Sequence, residues 1–126
     1  MNTNLNRPLI AEIDGAAFES EVLKAEQPVL VFFWASWSRP CQVMASVLCE
    51  VAADTRGVKI CKINADDNPG LSLLYEVQSI PALLFFVNGT PRASVVGTAS
   101  KEAVLAKIQP LAVLKDSPSQ RKEIEE

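Results

Sequence analysis

The stretch V-L-V-F-F-W-A-S-W-S-R-P-C, Val29 to Cys41, decides how the chain is to be read. Its first seven residues, Val29 to Ala35, are apolar without a break. A strand wetted on one side would alternate polar and apolar residues. An unbroken run predicts a strand covered on both faces, as in a largely parallel sheet. Pro28 stops any helix that precedes it. The residues after the run hold a helix-start signal. Serine is a preferred N-cap, and proline is tolerated in the first turn because the N–H it lacks would have no partner there. Ser38 and Pro40 therefore predict a helix from Arg39 to about Thr55, with Val43, Val47, Leu48 and Val51 as its apolar stripe and Gly57 at its end.

The same reasoning extends in both directions. Upstream, Leu9 to Ile13 reads as a short strand, and Asp14 as the N-cap of a helix carrying Phe18, Val22 and Ala25 on one face. Downstream, Val58 to Ile63 is another apolar strand, and Asn68-Pro69 opens a short helix with Leu71, Leu74 and Tyr75. Ile80-Pro81 precedes a strand from Ala82 to Val87. Asn88-Gly89 is a strong hairpin signal, so Arg92 to Val96 should return antiparallel. Ser100 caps a last helix to about Gln109, where Pro110 disturbs it. The order is βαβαβαββα: an α/β fold with a central mixed β-sheet flanked by helices, parallel at its core and antiparallel at the hairpin side. Residues 1–113 make one domain, and 114–126 read as a charged, flexible C-terminal tail. In such sheets ligand chemistry gathers beyond the carboxyl ends of the central strands, which points to the stretch after Ala35.

Composition narrows the classes of function. A net charge of -3 and scattered basic residues exclude a nucleic-acid surface, which needs clustered Lys and Arg. Pro28 to Ala35, the longest apolar run, is less than half the roughly 20 residues of a membrane span. Met1 to Pro8 lacks the apolar core of a signal peptide, so the expected location is cytoplasmic. There is no histidine, which removes the commonest base for serine or cysteine nucleophiles and the commonest metal ligand; neither a metal nor a cofactor is expected. The three cysteines, Cys41, Cys49 and Cys61, form no short-spaced pair. Cys49 is eight residues beyond Cys41 on one helix, about 12 Å along the axis, beyond the roughly 7 Å that a disulfide spans between Cα atoms. Cys61 reads as a small buried hydrophobe in a core strand.

The run F-W-A-S-W-S-R-P-C resembles the thioredoxin signature F-W-A-x-W-C-G-P-C, with Ser38 where the first cysteine belongs. The likeness continues, without a gap, through Lys62-Ile63-Asn64, Asp66, Asn68-Pro69-Gly70, Tyr75, Ile80-Pro81, Asn88-Gly89 and Gly97, roughly residues 10 to 110. The resemblance implies the thioredoxin fold and a protein-disulfide oxidoreductase family. Its first cysteine attacks a substrate disulfide as a thiolate at a helix N-terminus, and its second resolves the mixed disulfide. Ser38 holds the nucleophile's position and Cys41 the resolving position. Phe32 holds that of a buried aspartate that helps deprotonate the resolving thiol, and Lys62 that of the aspartate's neighbour. Serine forms no disulfide, so dithiol exchange through Ser38 and Cys41 is excluded. Ser46 stands where a kinking proline is common, and Ala82 where threonine is usual.

The resemblance also implies a cis peptide before Pro81 and an apolar groove for an extended peptide, made by Trp37, Ile80 and Pro81, with Gly97 leaving room at its edge. Tyr75 and Phe85 read as ordinary core. Three readings stay open. The first is a peptide- or protein-binding module, chaperone-like, with a mixed disulfide at Cys41 as a further means of holding a partner. The second is an ordinary thioredoxin in which the first cysteine has been changed to serine. The third, weaker, is a scaffold subunit that assembles through the groove or tail.

Overall fold

The computed structural model describes residues 10–116, with side chains as far as Leu111. Five strands form one sheet: β1 (Ala11–Glu12), β2 (Val29–Trp34), β3 (Lys59–Asn64), β4 (Ala82–Val87) and β5 (Thr90–Val96), in the order β1-β3-β2-β4-β5. The first three run parallel, and β4 and β5 join antiparallel on the β2 side, as the alternation of elements predicts. Three helices complete the fold: α1 (Arg39–Asp54), α2 (Pro69–Leu74) and α3 (Lys101–Asp116).

The unbroken apolar runs are explained by two separate cores. Leu30 and Phe32 of β2, with Leu83, Phe85 and Val87 of β4, face α1 and α3. Val29, Val31 and Phe33, with Ala82, Leu84 and Phe86, face Phe18, Val22 and α2. Side chains alternate between faces at every residue, so a strand with a core on each side has no place for a polar residue. On the α2 face Phe18, Tyr75 and Phe86 form an aromatic trio with centroids 5.4 to 5.7 Å apart. Phe85 is core as expected, and Tyr75 is half-buried.

Several elements depart from expectation. The stripe of α1 is Cys41, Met44, Leu48 and Val51, while Val43 is 50 % exposed. At about 100° per residue Val43 lies a quarter-turn or more from Met44, off the buried arc. The helix after Asp14 is irregular: a 3-10 turn at Gly15–Ala17 runs into a π turn at Glu19–Leu23. Asp14 caps it as expected, its carboxylate accepting from the Ala17 N–H at 3.0 Å. Leu74 of α2 faces solvent. β5 starts at Thr90 rather than Arg92, because Pro91 is tolerated on an edge strand, where a register shift between Phe85 and Phe86 accommodates it. The hairpin before it has φ of 52° at Asn88 and 78° at Gly89, and a Cβ at Gly89 would stand 2.8 Å from the Leu23 carbonyl oxygen.

α3 does not end near Gln109 but continues through Pro110. An interior proline costs about 3 kcal/mol. Leu111, just beyond it, is buried with Val104 and Ile108 against the sheet, and burying a leucine returns about 1.5–3 kcal/mol. The helix thus reaches into the segment 114–126 expected as a tail; the remainder of that segment lies outside the described residues, as does Leu9 of the expected first strand.

Candidate functional site

The site stands where the parallel strands end. β2 stops at Trp34, and a turn at Ser36-Trp37, closed by the Ser38 N–H donating to the Ala35 carbonyl at 3.2 Å, leads into α1. Ser38 is its N-cap. Its backbone is extended (φ -94°, ψ 115°), and its hydroxyl accepts from the Cys41 N–H at 3.2 Å. Pro40 occupies the first turn. Ser38 is 4 % exposed and Cys41 2 %. Both side chains are thus buried at the helix start.

Trp37 is the opposite case, 70 % exposed. Its indole N–H donates to Asp66 Oδ2 at 2.8 Å. Asp66 is held in place by its own loop: Asn64 Oδ1 accepts from the Asp66 and Asp67 N–H groups at 2.9 and 3.2 Å, and the Asn68 amide donates to the Asn64 carbonyl at 2.9 Å. Across from Trp37 the Ile80–Pro81 peptide is cis, as the resemblance implies. The Gly97 N–H donates to the Pro81 carbonyl at 2.8 Å, and Gly97, at φ 90°, has open space where a Cβ would be. A groove of about 500 Å³ runs between these walls, lined by Trp37, Asp66, Val77, Gln78, Ser79 and Ile80 among others. Of the four expected groove residues, Trp37 and Ile80 line it. Pro81 and Gly97 are not among its lining residues and are hydrogen-bonded to each other. Asp66 was legible only as a family match, not as the acceptor that orients Trp37, and Gln78 and Ser79 carried no signal beyond their nearness to Pro81.

Cys41 opens elsewhere. It lines a second pocket, of about 200 Å³, with Phe32, Trp34, Gln42 and Lys62. Phe32 and Lys62 are paired across β2 and β3, and the Lys62 ammonium lies 5.0 Å from the centre of the Trp34 ring, a cation–π contact. The Trp34 indole N–H is buried with no acceptor among the described residues.

A family model described as Thioredoxin matches residues 9–110. The chain belongs to the thioredoxin family. It is 45 % identical over 98 residues to a thioredoxin of Pseudomonas aeruginosa, covering 77 % of this chain and 91 % of that one. It is 39 % identical over 101 residues to a thioredoxin of Griffithsia pacifica, covering 79 % and 93 %. A chloroplastic thioredoxin M5 of Oryza sativa is 44 % identical over 89 residues, 70 % of this chain and 52 % of that one.

Within this thioredoxin fold the other two cysteines are far from the helix start in kind as well as position. Cys49 is exposed on α1. Cys61 lies in the core on the α2 face, whereas Cys41 lies in the core on the α1 face, so the sheet stands between them. Burial pushes the Cys61 thiol up to about 12, against a smaller lowering by the Lys59 ammonium. Among the described residues no group of His, Cys, Asp and Glu side chains is placed to hold a metal ion, and no helix is long and apolar enough to cross a membrane.

Proposed function

We propose that this thioredoxin-family chain is an atypical member, with Ser38-Arg39-Pro40-Cys41 in place of a two-cysteine site, that holds extended peptide or protein segments and does not exchange dithiols. The observation that carries the reading is the hydrogen bond from the Cys41 N–H to the Ser38 hydroxyl. It gives the serine a structural role at the helix start and leaves a single thiol there. A client disulfide needs two neighbouring thiols to be reduced and released. Cys49 is exposed further along α1, and Cys61 is across the sheet.

Binding falls to the groove beside Trp37 and Ile80. It presents a fixed, exposed indole together with Gln78, Ser79 and Ile80, the kind of surface on which an extended peptide is held through main-chain bonds and side-chain contacts. A chaperone-like holding role follows from the same surface, whereas a mixed disulfide between a client and Cys41, which lines the other pocket, would need the helix start to open first. Ser38, Cys41, Trp37, Ile80, Pro81 and Gly97 are the site residues of this reading. The partners are proteins rather than nucleic acid or membrane, and the location is the cytoplasm.

The second reading, an ordinary protein-disulfide reductase carrying a cysteine-to-serine change at position 38, draws support from relatives that are named simply thioredoxin. Reduction of insulin, coupled to a disulfide-reducing system, separates the two. The chain with Ser38 is expected to show no turnover; sustained turnover would overturn the proposal. In the Ser38→Cys variant slow turnover is expected, because Phe32 supplies no acceptor for the Cys41 proton. Turnover at the rate of an ordinary thioredoxin would favour the second reading, and a cysteine codon at position 38 of the gene would establish it.

A further inference from the structure

Cys41 is almost fully buried, and the groove beside Trp37 does not include it among its walls. It lines instead the 200 Å³ pocket on the Lys62 side, bounded also by Phe32, Trp34, Ser36 and Gln42. The two cavities share no lining residue. An approach to the Cys41 sulfur with the helix start in place is therefore open on the Lys62 side and is not offered by the groove.

The character of that pocket selects among visitors. Lys62 brings a positive charge that makes no ion pair among the described residues; the ion pairs there are Lys24–Glu19, Lys59–Glu21 and Lys101–Asp54. No aspartate or glutamate belongs to the wall, and the residue paired with Lys62 on the next strand is phenylalanine. Held against the Trp34 ring, the ammonium has its position fixed without its charge being neutralised. Phe32, Trp34, Ala35 and Ala45 supply apolar surface. A pocket with one uncompensated cation, apolar walls and a thiol favours a small anion with a short carbon chain. Its volume of about 200 Å³ is below the roughly 300–1,000 Å³ of a drug-sized ligand's site, which suits a small molecule rather than an extended peptide.

We propose that this pocket is a modification site: an entry to Cys41, separate from the peptide groove, that takes small carboxylate-bearing thiol-reactive molecules. With a haloacetate as the probe, the carboxylate sits at Lys62 and the methylene carbon meets Cys41. The sulfur gives its proton to solvent and attacks that carbon. A C–S bond forms as the carbon–iodine bond breaks, and iodide leaves with the electron pair. No oxidant or reductant is needed. The inference stands whether or not the groove binds peptides.

The experiment compares iodoacetate with iodoacetamide, which differ in charge and hardly in size, on the full chain. Rates are read separately at the Cys41 and Cys49 peptides by mass spectrometry. The ratio of the two reagents removes any change in the reactivity of the sulfur itself. The iodoacetate-to-iodoacetamide ratio is expected to be higher at Cys41 than at exposed Cys49. In Lys62→Gln it should fall about fivefold at Cys41, the size of one contact between unit charges in wet surroundings, and stay unchanged at Cys49. Lys62→Arg should keep it. Trp37→Ala, which opens the groove, should leave both Cys41 rates within about twofold. The proposal is overturned if Lys62→Gln leaves the Cys41 ratio unchanged, if Trp37→Ala accelerates both reagents strongly, or if Cys41 reacts with neither before the chain unfolds.

Discussion

Cys41 and Cys61 are equally hidden, at 2 % and 0 % exposure, and occupy different worlds. Cys61 lies in the middle of β3, flanked by β1 and β2 and covered by the core of the α2 face. Cys41 lies one turn into α1 at the rim of the other core, with its N–H bonded to Ser38 and its side chain on a pocket that also holds a cation. Burial alone therefore says little about what a thiol can do. The thiolate is the reactive form, and its availability depends on whether nearby charge and an approach path accompany the burial.

The sharpest test of that contrast is chemical. A thiol held at about 12 instead of the ordinary 9.0 has roughly a thousandfold smaller thiolate fraction near pH 8. Alkylation at Cys61, measured on its own peptide in the folded chain, is expected to be at least about a thousandfold slower than at a simple thiol. A Cys61 rate near that of a free thiol, under conditions where the fold persists, would break the comparison.

The same shift has a thermodynamic face. Above pH 9 the unfolded chain releases the Cys61 proton while the native state keeps it until about 12. The native state then binds more protons, so stability falls as pH rises through this window and is unaffected by this group below it. The slope approaches 1.4 kcal/mol per pH unit, roughly 4 kcal/mol across the window. Burial raises the Tyr75 hydroxyl as well, which acts in the same direction at the upper end. Urea unfolding at a series of pH values should show the decline, and Cys61→Ala should flatten it by about one proton's worth. An equal slope in both proteins would mean that Cys61 does not titrate as described.

Serine substitutions sharpen the comparison at neutral pH. In Cys61→Ser a hydroxyl enters an apolar core with no acceptor provided, at a cost of about 1–3 kcal/mol. In Cys41→Ser the hydroxyl borders a pocket large enough to admit water, so less than about 1 kcal/mol is expected. Chemical denaturation of the pair decides it. Equal costs would show that the pocket gives Cys41 no relief.

How far this contrast was readable beforehand depends on what each residue's neighbours are. The two-faced strands announce themselves, because V-L-V-F-F-W and A-L-L-F-F-V have no polar residue to turn toward water. Asn88-Gly89 fixes the hairpin through backbone conformation alone. The N-cap at Ser38 was legible for the same local reason. Val43 falls outside the stripe because an apolar residue joins it only where its angular position agrees, and Met44 rather than Val43 completes the arc. The 3-10 and π turns after Asp14, and the passage of α3 through Pro110, are settled by tertiary burial of Phe18, Val22 and Leu111, which no local pattern displays. Near the helix start, motif order pointed to Trp37, Cys41 and Pro81, of which Trp37 lines the groove, Cys41 lines the other pocket and Pro81 follows a cis peptide. The Trp37–Asp66 bond and the Lys62 ammonium over Trp34 bring together residues 29 and 28 positions apart, and only the parallel pairing of β2 with β3 makes them neighbours.

A last effect, smaller than that expected at Cys61, concerns Ser38, and it isolates the structural role of this residue at the helix start. Ser38→Ala removes the acceptor for the Cys41 N–H and should cost about 1 kcal/mol. Ser38→Asn should cost less, since asparagine caps as well as serine does. Ser38→Cys belongs with alanine in its reduced form, because sulfur is a weak acceptor. A variant with a second thiol at position 38 would thus give up part of its hold on the helix start. Urea midpoints for the three variants, measured under reducing conditions, test this ordering. If Ser38→Ala and Ser38→Cys match the wild type, the hydroxyl contributes nothing to the helix, and the serine has to be explained by something other than its bond to Cys41.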